Sequence, residues 1–477
     1  MSENKTTGQQ LFEELSYDKP SVWSNAGNDE RASIFSFCED YKSFLDRSKT
    51  EREFVREAEK LARTKGFISI DDIIKSDAQL KQGMKIYRTF KNKTIAFAVV
   101  GSESAIEGFN LVGAHIDSPR LDLKPNPLYE SEEMAFLKTH YYGGIKKYQW
   151  VTIPLSIHGV VVKKDGSTVD ITIGEKEDEA VFTITDLLPH LASEQMQKKM
   201  SDAITGEGLN ILIGSIPYDD KKVTEKVKLN ILSLLNEKYG IIEEDFLSAE
   251  IEVVPAFKAR DLGFDKSMVG AYGQDDRVCS YTALRSILEL EDIKKTAVCV
   301  LADKEEVGSM GNTGAQSTFL ENFIADICAA SMDEYNDMVL RRCIVNSKML
   351  SADVNAAIDP GFMEVYDKLN SSYLGKGIAL MKYTGSRGKS GSSDASAEFM
   401  GLVRNLFNNN RIHWQVAELG KVDKGGGGTI AQFMANMGMD VVDCGVAVLS
   451  MHSPFEVTSK SDIYTAYKAY KVFMEKA

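Results

Sequence analysis

Cysteine is scarce: the chain has 6 in 477 residues (Cys38, Cys279, Cys299, Cys328, Cys343 and Cys444), and no two form a C-x-x-C pair. No disulfide framework or thiolate metal site is therefore expected, and the mostly apolar neighbours suit buried thiols in reducing cytosol. Proline (10) and glycine (36) together make up under a tenth of the chain, which excludes long disordered or collagen-like tracts. Long apolar runs are missing. Ile95 to Val100 and Ala297 to Ala302 fall far short of the roughly 20 residues that span a bilayer. Met1 to Gln10 is polar and has no apolar stretch, so no secretory leader is expected there. Positive charge is in deficit: 56 Lys and Arg against 70 Asp and Glu leave a net −14. That balance argues against broad binding to nucleic acid or anionic membrane. A cytoplasmic setting follows.

Hydrophobic residues at 43% and charged residues at 26% are ordinary for a globular protein with a large core. At about 150 residues per domain the length suggests two or three domains. Thr50-Glu51-Arg52-Glu53 is a capping-box pattern, and Phe54, Ala58, Leu61 and Ala62 then share a helical face up to a stop at Gly66. Thr94 to Val100 and Asn110 to Ala114 read as buried strands. From about Trp150 to Ile251 the texture is antiparallel. Val151, Ile153, Leu155 and Ile157 alternate with polar residues, as in a half-exposed strand, and Val169, Ile171 and Ile173 repeat the pattern after the turn Lys164–Ser167. A helix is expected around Leu191 to Met200, and the acidic run Gly174 to Glu179 reads as a solvated hairpin tip. After Val254 strand–helix alternation returns, with strands over Thr296–Ala302, Lys348–Ala352, Ile378–Tyr383 and Asp440–Leu449. The organisation is an α/β domain interrupted by a β-rich insertion.

Metal-ligating residue types gather at or just after five strand ends: His115 and Asp117, Asp275 and Asp276, Glu305 and Glu306, Asp353, and His452. Ligands usually collect at the C-terminal edge of an open α/β sheet. Asp117, two residues from His115, can accept a hydrogen bond from that ring and fix the nitrogen that faces a metal. Asp275 and Asp276 open a helix, where carboxylates also suit the helix dipole. Glu305 and Glu306 follow an apolar strand, where paired acids need a compensating cation or proton, and in an extended chain they would diverge. Two histidines and several carboxylates without thiolate suit Zn²⁺, Co²⁺ or Mn²⁺. Three ligand carboxylates nearly balance two dications, the charge of a two-metal hydrolytic site. There is no H-E-x-x-H helix and no G-x-S-x-G elbow, and Tyr383 stands where a P-loop ending at Gly388-Lys389-Ser390 would need its first glycine.

The ordered motifs GAHIDSPRLDLKP (113–125), GQDDR (273–277), DKEEVGSMG (303–311), SADVNAA (351–357), GGGGTI (425–430) and SMHSP (450–454) resemble the M18 metallo-aminopeptidases, the aspartyl aminopeptidase and aminopeptidase I group. The resemblance implies an α/β fold: a three-layer, phosphorylase/hydrolase-like zinc-exopeptidase catalytic domain over 1–125 and 255–477. An inserted β-rich dimerisation or lid domain would occupy 126–254, and six dimers would form a tetrahedral dodecamer. It also implies two divalent ions per subunit, zinc first, with Co²⁺ and Mn²⁺ as alternatives. One ion would take His115 and Asp353 and the other Glu306 and His452, with Asp275 bridging. Glu305 matches the general base and Asp117 the carboxylate behind His115. The Asp275–Asp276 peptide is expected to be cis. Lys382 resembles a substrate-pocket lysine, His190 a histidine that reaches a neighbouring subunit, and Gly427 belongs to a glycine run that can approach the peptide closely. The aspartyl branch often carries a second histidine shortly after the first; here Glu194 stands in that place.

The expected activity is removal of an N-terminal residue, acidic residues among them, from peptides with a free N-terminus. Two other readings compete: a related two-zinc carboxypeptidase or N-acyl-amino-acid deacylase, and a catalytically silent, self-assembling structural protein.

Overall fold

A computed structural model describes residues 5–17 and 20–477. The first four residues of the polar N-terminal stretch lie outside the described residues. The run Asn110–His115 is buried at every position and lies inside a nine-stranded sheet. Ala297–Ala302 and Lys348–Ser351 flank it in parallel, and Asp440–Gly445 extends the parallel part. Antiparallel pairings follow on both sides, with Thr94–Val99 and Lys85–Phe90 on one and Ile378–Met381 on the other, and the edge strands Ile68–Ser69 and Trp414–Val416 each pair parallel with their neighbours.

Strand side chains alternate between faces, so an all-apolar strand needs cover on both. Val112, Ala114, Cys299, Leu301 and Leu350 join a core with helices Gln274–Leu288 and Lys460–Lys476. Leu111, Val298, Val300 and Met349 join a second core with helix Phe319–Ser331. The helix Glu51–Thr64 begins with both bonds of the Thr50–Glu53 capping box, and Gly66 follows it at φ +81°, the left-handed conformation that glycine takes without steric cost.

A second sheet is antiparallel at every pairing. Its strands run in the order Thr168–Ile173, Leu155–Val162, Ala249–Pro255, Arg120–Ser131, Met134–Tyr142 and Ile211–Gly214. Leu121, Trp150, Leu155, Val161, Ile211 and Val253 belong to its own core. All six cysteines are free and buried. Among the described residues no helix is long and apolar enough to cross a membrane.

Three local expectations fail, each for a packing reason. The alternating run starts as a strand at Leu155, not Val151, and its polar face is not exposed: Ser156 and His158 are buried. The helix Glu51–Thr64 covers them, with Glu53 Oε1 2.8 Å from His158 Nδ1. Nor is the acidic run wholly solvated. Glu175 turns inward to His158 Nε2 at 3.1 Å and pairs with Lys49 at 2.7 Å and Lys258 at 3.0 Å. The stretch 191–200 forms 3₁₀ turns at Pro189–Leu191 and Gln195–Gln197 and then a short helix, Met200–Ala203. Leu191, Met196 and Met200 are exposed, so no buried apolar face stabilises a longer helix.

Candidate metal centre

The parallel strands deliver their side chains to one edge. His115 ends its strand, Asp353 follows Ser351 by two residues, and Glu305 and Glu306 follow Ala302 after Lys304 turns left-handed at φ 68°. The two glutamates therefore sit in a 3₁₀ turn, not an extended chain, and both head for the same site. Asp275 enters from the start of helix Gln274–Leu288, and its peptide bond to Asp276 is cis. His452 comes from the turn between strands Ala447–Leu449 and Glu456–Ser459.

Asp275 lies between the two imidazoles. Its Oδ1 is 3.2 Å from His115 Nε2 and its Oδ2 is 3.1 Å from His452 Nε2. Asp353 and Glu305 stand 3.9 and 4.0 Å from His115 Nε2, and Glu306 is 3.5 Å from His452 Nε2. Two overlapping sets have ligand atoms within 4.8 Å of one another: His115, Asp276 and Asp353, and His115, Asp275 and Glu306.

Each ring points Nε2 inward because Nδ1 is engaged. His115 Nδ1 donates to the Asp117 carbonyl oxygen at 3.0 Å, with the Asp117 carboxylate 3.3 Å away. His452 Nδ1 donates to the Gly144 carbonyl at 2.8 Å. The backbone is held by acids as well. Asp117 accepts the N–H groups of Glu305 and Glu306 at 3.1 and 3.2 Å, and Glu456 accepts those of Asp275 and His452 at 2.9 and 2.7 Å.

So many buried acids disturb one another. Burial holds Glu305 up at about 7 against the pull of His115, with Asp117 and Asp275 adding to the rise. Burial also raises Glu306 and Asp353 well above the usual carboxylate range, helped by Asp275 and Asp276 respectively. Burial works against a charged His452, yet the hydrogen bond to Asp275 lifts it to about 10. Asp275 is shifted down in spite of burial, by His115 and His452. Two buried carboxylate oxygens, Glu306 Oε1 and Asp276 Oδ1, have no hydrogen-bond partner among the described residues. Crowded buried carboxyl groups, orphaned oxygens and two inward-facing Nε2 atoms form a donor set that fits divalent cations of the zinc type, which would take the place of the protons these groups otherwise hold.

All of His115, Asp117, Asp275, Glu305, Glu306, Asp353 and His452 thus come together. Lys382, His190 and Gly427 are not tied to them. Lys382 binds Asp394 at 2.7 Å, and Lys389 takes the other Asp394 oxygen at 3.0 Å. His190 is exposed in its 3₁₀ turn. Gly427 pairs with Gly385 in a short exposed ribbon. Asp276, one of the strand-end acids, joins the ligand set with His115 and Asp353. Three contributors were not singled out from sequence as parts of the site, Tyr142, Gly144 and Glu456, and none of them carries a local signal.

Histidines and carboxylates converging at the C-terminal edge of a mainly parallel sheet define a metallohydrolase type of site. The chain belongs to the M18 peptidase family: the model of the family described as aminopeptidase I zinc metalloprotease matches residues 44–474. It is 53% identical over 454 residues to a Clostridium acetobutylicum protein described as "Probable M18 family aminopeptidase 1", covering 95% of this chain and 97% of that one. The crystal structure of an M18 aminopeptidase from Thermotoga maritima is similar at a TM-score of 0.93 and 47% identity, covering 97% of this chain and all of that one. At 22% identity, the S. cerevisiae mApe1 dodecamer structure shares the fold with a TM-score of 0.75, over 92% of this chain and 96% of that one.

Proposed function

We propose that the chain is a two-metal aminopeptidase that hydrolyses the N-terminal residue from peptides. The observation that carries this reading is Asp275, whose two oxygens face His115 Nε2 and His452 Nε2 at 3.2 and 3.1 Å. A carboxylate between two imidazoles is what a pair of ions needs as a bridge. In this reading one ion takes His115 and Asp353 and the other Glu306 and His452. Zinc is the expected metal, with Co²⁺ or Mn²⁺ able to replace it. When bound, the ions polarise the scissile carbonyl and make the attacking water more acidic.

Glu305 takes the water's proton and passes it to the leaving amine. Two properties support that role: its side chain is the most exposed of the acids facing His115, at 18%, and burial holds it near 7. Asp117 holds the backbone of Glu305 and Glu306, so base and ligand keep a fixed spacing. The free α-amine would be held by the site's carboxylates and one of the ions, which restricts cleavage to the first residue.

The same reading takes 1–125 and 255–477 as a three-layer catalytic domain and 126–254 as an inserted dimerisation domain. The strand Arg120–Ser131 crosses the lower of those boundaries. Six dimers in a tetrahedral dodecamer, in the cytoplasm, complete the proposal. Exposed His190 is free to approach a neighbouring subunit, and helix Lys226–Tyr239 buries only Val227 within one chain. Acceptance of acidic N-terminal residues is supported by Lys382 and Lys389, whose two charges exceed that of Asp394 by one. Gly427 would form a backbone wall.

Hydrolysis of aminoacyl-p-nitroanilides, and not of their N-blocked forms, is the expected result. Cleavage of N-acyl amino acids or of C-terminal residues instead would favour a deacylase or carboxypeptidase. No hydrolysis of any kind would favour a silent structural protein.

A further inference from the structure

The three residues Tyr142, Gly143 and Gly144 leave the end of the second sheet and run along the metal centre. The Tyr142 hydroxyl donates to Asp117 Oδ2 at 2.8 Å. A Cβ on Gly143 would lie 3.2 Å from Glu306 Oε2. Gly144 offers its carbonyl to His452 Nδ1 at 2.8 Å. Consecutive residues therefore meet Asp117, Glu306 and His452 in turn.

Sheet register accounts for the placement. Met134–Tyr142 pairs antiparallel with Arg120–Ser131, which sets Tyr142 opposite Arg120. Arg120 follows Asp117 by three residues, so the base of this hairpin returns to the end of the His115 strand. The Arg120 guanidinium lies 4.0 Å from the centre of the Tyr142 ring, a cation–π contact that fixes the ring. Arg120 is buried and faces Glu51 at 3.3 Å and Glu252 at 3.4 Å. The hydroxyl thus has a fixed direction toward Asp117.

An imidazole accepts at Nε2 only while Nδ1 carries the proton, and outer hydrogen bonds decide which nitrogen that is. For His115 the outer partners are the Asp117 carbonyl at 3.0 Å and the Asp117 carboxylate at 3.3 Å, and the carboxylate's orientation rests on Tyr142 and on the Glu305 and Glu306 N–H groups. For His452 it is the Gly144 carbonyl itself. We infer that the segment Tyr142–Gly144 of the second sheet orients both histidines for metal, with Tyr142 as a positioning residue acting through Asp117 on one ion and Gly144 acting directly on the other. The inference rests on the two-metal reading, and it makes the second sheet part of the metal centre as well as a separate layer.

The test is chelator-competition titration of Zn²⁺ and of Co²⁺ on the full-length wild type, Tyr142→Phe, Gly144→Ala and Tyr141→Phe, with the Co²⁺ absorption spectrum as second readout. Tyr142→Phe keeps the ring over Arg120 and removes only the hydroxyl. Gly144→Ala places a Cβ 3.3 Å from His452 Nδ1, which must move the ring. Each is expected to weaken one binding step about tenfold or more and to change the Co²⁺ spectrum, while thermal midpoints stay close to wild type. Tyr141, exposed on the same strand, is expected to behave as wild type when changed to Phe. If wild type binds two ions and both Tyr142→Phe and Gly144→Ala bind them equally well with an unchanged spectrum, the inference is overturned and the two-metal reading stands. If wild type itself binds no ions, both are overturned.

Discussion

The Glu456 carboxylate accepts the backbone N–H of Asp275 at 2.9 Å, across 181 residues of sequence. Its other oxygen takes the N–H of His452 at 2.7 Å. One buried side chain therefore fixes the backbone of the proposed bridging ligand and of a terminal one. Glu456→Gln keeps the shape but turns an NH₂ group toward one of those N–H donors. A buried donor without an acceptor costs about 1–3 kcal/mol. Urea unfolding of the metal-stripped protein is expected to show a loss of that size, and an unchanged midpoint would contradict it.

Glu305→Gln removes the proposed base and leaves the ligands in place. Turnover is expected to fall by about 10²–10⁴-fold, with metal content by elemental analysis unchanged. Normal turnover would remove Glu305 from the mechanism.

His452 faces both Asp275 and Glu306 at 3.1 and 3.5 Å. His452→Ala is expected to empty one of the two ion positions and keep the other. Two fully occupied positions in that variant would refute its role as a ligand.

A pH effect on stability is expected away from the site, at His158. Burial opposes its charge, but Glu175 and Glu53 hold its pKa above the ordinary 6.5. Glu175, despite burial, is held down at about 2 by His158 and Lys49. A raised histidine stabilises fully below its unfolded value, and the gain is lost as pH rises through the folded value. A depressed carboxylate stabilises above its ordinary 4.5, and that gain is lost as pH falls toward about 2. Both contributions are present together between 4.5 and 6.5. The difference in thermal midpoint between wild type and His158→Gln should be largest in that window and should narrow at higher pH. A difference that grows with pH would be the wrong sign.

What could be read in the sequence was local. The Thr50 capping box, the buried strand at Asn110 and the strand-end acids each carry their signal within a few residues. The contacts that complete the site do not. Tyr142 meets Asp117 only through hairpin register, Gly144 and His452 are 308 residues apart, and Glu456 reads as an ordinary strand residue. The same holds for the failed alternation at Ser156 and His158. Their pattern is that of an exposed face, and only the helix carrying Glu53 makes it a buried one.

The central claim is that Asp275 bridges two ions that catalysis requires. The most direct measurement strips the protein with a chelator and titrates Zn²⁺ back while following hydrolysis of Asp-, Glu-, Leu- and Lys-headed p-nitroanilides. Activity should vanish on stripping and return to a plateau at two ions per subunit. Full activity without metal, or a plateau reached at one ion, would contradict it.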